Sequence, residues 1–569
     1  MNTKFIDGKQ PSDRKTEAVE ALLHGKLGGG SAPPEPDYDA MWMKMKLELE
    51  RGGAAGAPGR ESANRAPARM RVRKVAMVTA LGAALAAVPA YAAFQYDWSD
   101  ILAGREGIQT ALAQGLGQSI EQSVTHDGVT LTLHTAFADA GRTVILYSLD
   151  PGCKQGSSFD FSRLLINDAS GQSHEVSEMQ QLNESGGTLA GYFETDWSPS
   201  GSSESVQLHL EGLHFYEGTE RELNFDAADP QPQTVEIGQD GIDRLALQPF
   251  VREDGSTMIR TAVSANASGQ AGSRFTQLRV YDANGKPIPA SQPGAYGAPG
   301  ENGSKINEEY YDTSALAQGG LTYKLAYQRA VDKVADSWNF PLVLDKSELR
   351  HASSEQKLNV SLGEGEDALK LSKLSITPTQ IRLEVREPDG PSPSFNRYEL
   401  IVDGKRIDKE LNSWAIRGES GYNLVLERPA DLALSPDSTI VLSAKHEVVP
   451  HEGDLPAPVR LANIGARKQS LVANVGGFPV KWTYYKQGGD LYVQTSSTDP
   501  NFGGIAQTYM GSGRGKVYGT PMIQRMQDEG GERLDAYKNF TGDSAELQIF
   551  YYIEHLPDKE VRVQVYPGK

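Results

Sequence analysis

The sequence holds a single cysteine, Cys153, in 569 residues. That excludes an intramolecular disulfide framework and any Cys-rich zinc module. Positive charge is also short, 56 Lys+Arg against 74 Asp+Glu for a net −18. A nucleic acid as main partner is thereby disfavoured, because binding phosphate needs a positive surface. Long hydrophobic runs are lacking with one exception, so most of the chain is built for water. The length nevertheless provides for several domains of about 100–200 residues rather than one.

The exception is Val75–Phe94, VAMVTALGAALAAVPAYAAF. It is uncharged and long enough to cross a bilayer as a helix at about 1.5 Å per residue. The charge divides there. Residues 1–74 carry 14 basic against 10 acidic side chains, leaving 42 against 64 for the remainder, so the two parts are +4 and −22. Arg65, Arg69, Arg71, Arg73 and Lys74 precede the run, and basic flanks stay on the cytoplasmic side. The expected topology is a single-pass membrane protein, N-terminus inside, with everything after residue 94 outside. A competing reading takes Ala90-Tyr91-Ala92 as a signal-peptidase site, although 74 preceding residues are too many for an ordinary n-region of about 15–30.

Residues 1–74 contain Gly28-Gly29-Gly30, Pro33-Pro34, Pro36 and a low-complexity stretch from Gly52 to Pro67, a composition that cannot offset chain entropy by apolar burial. Two short helices are expected in it, near 13–25 and 38–50. In the second, Trp42, Met45 and Leu49 fall at i, i+3 and i+7 with Met41 alongside. An isolated helix of about 12 residues is marginal in water, so this stripe reads as a helix-in-groove anchor for a cytoplasmic partner. The plainer reading is that it lies on the membrane surface or is simply a weak helix.

After Tyr96, apolar residues recur every fourth position at Ile108, Leu112, Leu116 and Ile120, which predicts one amphipathic helix. From Gly128 the period becomes two, and strand-like runs are separated by Gly, Asp, Asn and Pro turns. A unit recurs. Its opening hairpin begins at Gly128, Gly241, Ala368 and Gly476. A second hairpin follows as LLINDASGQ, LRVYDANGK, LIVDGKRI and MIQRMQDEGGERL, with turn aspartates Asp168, Asp282, Asp403 and Asp528 spaced by 114, 121 and 125 residues. The unit length matches an immunoglobulin-like β-sandwich of about 100 residues. Expected domains are a tail at 1–74, a transmembrane helix at 75–94, a helix plus sandwich at 98–226, and sandwiches at 228–350, 355–450 and 456–569.

Several segments come near a catalytic or metal motif without completing one. His446, Glu447, His451 and Glu452 have the wrong spacing for a zinc helix and are interrupted by Pro450, which favours an interdomain linker. Gly511–Lys516 lacks the Ser or Thr that a phosphate loop requires after its lysine. Ser354-Glu355-Gln356-Lys357 fits S-x-x-K but has no S-D-N or K-T-G companion. Asp282-Ala283-Asn284-Gly285 is a hairpin turn rather than a calcium loop. Cys153 sits in an expected exposed turn. No catalytic residue, cofactor or metal site is expected, and the chain does not read as an enzyme.

The segment from Trp98 to Leu149 resembles the start of the DUF4179 family of Gram-positive bacteria, through the Gly107-Ile108 helix opening, the Gly115–Gln118 stretch, the Asp127-Gly128 pair before a strand, and the strand Thr143–Leu149. The later repeats are similar to the immunoglobulin-like and DUF5643-type domains found downstream in such proteins. The resemblance implies an anti-sigma-factor-like regulator, with Tyr38–Glu50 contacting an extracytoplasmic-function sigma factor and the outer domains sensing or binding a cell-wall or surface ligand. The tail departs from the zinc-containing anti-sigma pattern, having no cysteine before Cys153. The alternative class is a structural or adhesive envelope protein whose tail has no regulatory role.

Overall fold

The computed structural model describes residues 98–566 except the short segments 182–186, 253, 267–272, 293, 347–348, 350–352, 366–367, 389–391, 416–419, 436, 454, 456 and 526–530. The tail helices, the anchor residues Met41, Trp42, Met45 and Leu49, the basic flank and Val75–Phe94 lie outside the described residues. Among the described residues, no helix is long and apolar enough to cross a membrane.

Period-two patterning delivers strands almost throughout, arranged in seven antiparallel sheets that we label A to G. All four opening hairpins form as read, pairing Val129–Asp139 with Arg142–Asp150, Ile242–Val251 with Ser256–Ala265, Leu369–Ile376 with Gln380–Arg386, and Phe478–Gln487 with Asp490–Ser497. They lie in sheets A, C, D and G respectively. Sheet A adds Gln118–His126 on one side and Leu189–Thr195 with Ser177–Gln181 on the other.

The four segments are not independent beads. Sheet B has at its centre a ribbon of two very long strands, Ser203–Leu223 and Thr322–Asp345, paired along their whole length. One end of this ribbon packs on sheet A through Leu208, Leu210, Phe215, Trp338 and Phe340; the other packs on sheet C through Leu223, Tyr323 and Leu325. The second sandwich is therefore inserted into the first, whose core closes only with residues near 340. Trp338 is fully buried there, and its indole donates to the Val124 carbonyl at 3.2 Å. Segments 98–226 and 228–350 share a sheet.

The same nesting recurs downstream. A second ribbon, Ile440–Glu452 with Tyr551–Tyr566, closes sheet E over sheet D at one end, where Leu442, Ala444 and Val565 join the core. Sheets F and G form the inserted sandwich around Trp482, Phe502 and Ile549. Both ribbons carry a bulge with positive φ at the equivalent place, Gly212 at +63° and His446 at +56°. The repeat is thus a duplicated pair rather than four equal copies.

Two sequence expectations change. The single helix splits into α1 (Trp98–Ile101) and α2 (Glu106–Ala113), while Ile120 belongs to the first strand of sheet A. Gly115 at φ +70° reverses the chain, and a Cβ on Gly117 would lie 2.4 Å from Thr135, so the chain enters the sheet where the pattern had continued the helix. The helical segment covers the outer face of sheet A with Trp98, Leu102, Ile108 and Ala111 against Phe137, Val144 and Leu146. With both faces covered, two strands of that sheet are buried almost without interruption, polar residues such as His134, Thr143 and Ser148 included.

The fourth second hairpin is also different. Thr520–Arg525 and Glu532–Tyr537 pair in sheet G, whereas the hairpin equivalent to the other three is Thr508–Met510 with Val517–Tyr518 in sheet F. Gly511–Lys516, which resembles a phosphate loop, is its turn, and Gly511 at φ +81° explains the glycine there.

Candidate functional site

The two halves meet through hairpin ends. Between Val129–Asp139 and Arg142–Asp150 the turn presents Asp139 and Arg142; opposite it, the turn of sheet D presents Thr377, Thr379 and Gln380. Asp139 accepts from Thr377 at 2.9 Å and Gln380 at 3.3 Å, and from the Thr379 hydroxyl. Arg142, 3% exposed, donates to both carboxylate oxygens of Glu427 at 2.5 and 3.1 Å and to the Thr379 carbonyl at 3.3 Å. Burial works against its charge, but Glu427, Asp139 and Glu194 outweigh that and hold the guanidinium above its ordinary pKa. Burial pushes the Glu427 carboxyl up; Arg142 and Arg105 oppose it and hold the carboxyl below the usual range.

Arg105 comes from the turn before α2. It donates to Glu427 at 2.8 Å and pairs with Glu194, so one side chain bonds a residue of each half. Next to it Glu106 meets Lys409 at 2.5 Å. Gly107 lies so close to sheet D that a Cβ there would stand 1.8 Å from the Thr379 carbonyl oxygen. The helical segment is wedged between the halves.

Beside this joint lies a cleft of about 860 Å³. His174 and Trp197 stack at 5.4 Å on its wall, with the imidazole on Asp168 at 3.0 Å. The bonds from His174 and Ser170 hold the Asp168 carboxyl well below its ordinary range. Glu178 accepts from the buried Tyr147 hydroxyl, yet burial dominates and lifts its pKa to about 8. Arg382 reaches Asp196 at 3.6 Å, its Nε is buried with no hydrogen-bond partner, and burial lowers its pKa. Four of the charges lining the cleft are paired across the joint, Arg105 and Arg142 with Glu427 and Arg382 with Asp196.

A second joint links the inserted sandwiches. Phe250, Met258 and Tyr310 of sheet C pack on Tyr485, Tyr492 and Leu534 of sheet G, flanked by Arg252 on Glu532. Equivalent strands face one another, as in a two-fold interface between identical subunits.

Residues singled out in the sequence fall elsewhere. His446 and His451 lie in the second ribbon rather than in a linker; His446 shares a 2.6 Å hydrogen bond with His555, and His451 contacts Glu554 at 2.7 Å. Ser354–Lys357 opens a strand of sheet D. Asp282 accepts from the Asn284 and Lys286 amides at 2.9 Å, as a hairpin turn requires. Asp168 does the same for Ser170 and Gln172. Cys153 is exposed. Among the described residues, no group of three or more potential metal ligands converges. Arg105, Arg142 and Glu427 carry no motif; the cue is a charged residue, Arg142, opening a strand whose middle, Val144–Tyr147, is apolar.

No family model and no curated protein matches the chain. Among solved structures, the conserved domain protein from Bacillus anthracis shares 12% identity with a TM-score of 0.15, covering 55% of this chain and 91% of that one, a likeness that assigns neither fold nor function.

Proposed function

We propose that the chain is a single-pass envelope protein of the DUF4179 type, with outer immunoglobulin-like sandwiches that sense or bind a surface ligand and a cytoplasmic tail that holds a regulator, an extracytoplasmic-function sigma factor. One observation carries this reading. The α1–α2 segment, which follows the hydrophobic run in sequence, is gripped by both halves through Arg105 on Glu194 and Glu427. A ligand or force that shifts the halves changes its restraint, and that differential contact is what a switch needs.

The test is retention of the sigma factor by residues 1–74 in a pull-down. The expected result is binding that Trp42→Ala weakens, as loss of an aromatic anchor does. Failure to retain any sigma factor, with wild type and variant alike, overturns the regulatory reading and leaves the structural or adhesive one.

A further inference from the structure

We propose that a trough in the second half binds an uncharged pyranose chain, a glycan ligand for the outer part of the protein. It lies where the two halves depart from their internal symmetry. The first ribbon continues unbroken to Leu223, but the second stops at the Glu452–Tyr551 pair and resumes in sheet F as Val459–Leu461 with Ala545–Ile549. Phe550 spans the break, its amide donating to the Gln507 carbonyl at 2.8 Å and its carbonyl accepting from Gly453 at 3.2 Å.

The break opens a trough of about 680 Å³ with Val448 and Pro450 among its lining residues. In the first half the position equivalent to Pro450 is Tyr216, and that face is filled: Arg274 sits 4.1 Å over the Tyr216 ring and donates to the Phe159 carbonyl at 3.1 Å. Tyr509 and Tyr551 also line the trough, as does Phe550, which is 55% exposed. Tyr518, 43% exposed, continues the series, with ring centroids 5.4 Å from Tyr509 and 6.4 Å from Phe550. Phe550 and Tyr518 are thus two exposed rings side by side above a buried Tyr509, an adjacent pair that marks an interaction surface rather than scattered surface apolarity.

The lining selects the ligand. A pyranose ring offers an apolar C–H face and a rim of hydroxyls that both donate and accept. The trough answers with aromatic faces, the carboxylates of Glu387 and Glu452 as acceptors, and Lys516, whose ammonium lies 4.0 Å over Tyr509, as donor. Two carboxylates to one ammonium disfavour a polyanion. A peptide added as a strand would need a free edge with several amides, whereas the bordering strand Val517–Tyr518 is two residues long.

The experiment is calorimetric titration of the full chain in detergent with chitohexaose, cellohexaose and laminarihexaose, and with a proline-rich peptide as the competing chemistry. The variant Phe550→Ser/Tyr518→Ser changes two exposed rings, and Val472→Ser, at a site 68% exposed in sheet G, is the control. Binding of at least one oligosaccharide is expected, weakened about tenfold or more by loss of two stacking faces and unchanged in the control. Silence toward all three sugars, equal binding by the double variant, or binding of the peptide alone overturns the proposal. The result does not depend on the tail, so a sigma-factor pull-down can fail without touching it.

Discussion

Replacing Arg142 with alanine is the most direct test of the joint between the halves. The side chain is almost fully buried, makes a two-point contact with Glu427 and bonds the Thr379 carbonyl. Removing one member of a buried pair costs about 3–5 kcal/mol, mostly because the other charge is stranded. Glu427 keeps Arg105 at 2.8 Å, which places the expected cost near the lower bound, about 3 kcal/mol. A multidomain chain does not unfold in one step, so amide hydrogen exchange is the suitable readout. Exchange in Glu106–Ala113 and around Gln380 is expected to accelerate about a hundredfold, the equivalent of that free energy. The double variant Arg142→Ala/Glu427→Gln is expected to cost less than the sum of the two singles, since no carboxylate is left unpaired. The pH dependence has a definite sign. Glu427 is held below its ordinary pKa of 4.5, so its contribution is complete above that value and disappears as pH falls through the folded-state value. Unchanged exchange in Arg142→Ala, or strict additivity in the double variant, refutes the joint as an energetic coupling.

Two further predictions follow from single positions. Gly107→Ala drives a methyl into the Thr379 carbonyl, so α2 must move off sheet D; limited proteolysis near residues 103–116 is expected to speed up while the sheet cores keep their thermal midpoint. Glu309, 6% exposed, is lifted to about 7 by burial from an ordinary value of 4.5, so stability is full below 4.5 and is lost as pH rises through 7. Glu309→Gln keeps an acceptor for the Leu278 amide and is expected to flatten that dependence, stabilising sheet C above pH 7 by at most about 3 kcal/mol, read from amide exchange in Lys305–Asp312 at several pH values and corrected for the intrinsic rate.

What could be read from the sequence was local. Each hairpin joins neighbours, so alternation and a Gly or Asp turn suffice to find it, as at Asp282–Gly285, where Gly285 takes φ +75°. The helix was overextended because Leu116 and Ile120 keep its period although Gly115 and Gly117 turn the chain into sheet A. Nesting was invisible, since nothing local announces that Leu208 will pair beside Phe340 across an entire inserted sandwich. The buried carboxylates were equally silent. Glu309 and Asp535 occupy equivalent places in sheets C and G, and each accepts a backbone amide from the facing sheet, Leu278 at 3.2 Å and Thr508 at 2.9 Å. In one dimension each is simply an acid in an aromatic strand. The cleft needs three elements hundreds of residues apart and had no signature of its own.

Nesting also constrains how the protein emerges from the ribosome. Sheet D and most of sheet E are synthesised before residue 452, yet their core lacks Val565 and its neighbours Val561 and Val563 until the final strand arrives. For about a hundred residues of translation, the Ile440–Glu452 strand presents an unsatisfied edge, the kind of surface that pairs with other chains. The order of completion is inner sandwich first, outer sandwich last. A nonsense mutation just before residue 551 therefore does more than shorten the array: it leaves the third sandwich open, and the truncated product becomes a substrate for chaperones and proteases rather than a smaller working protein.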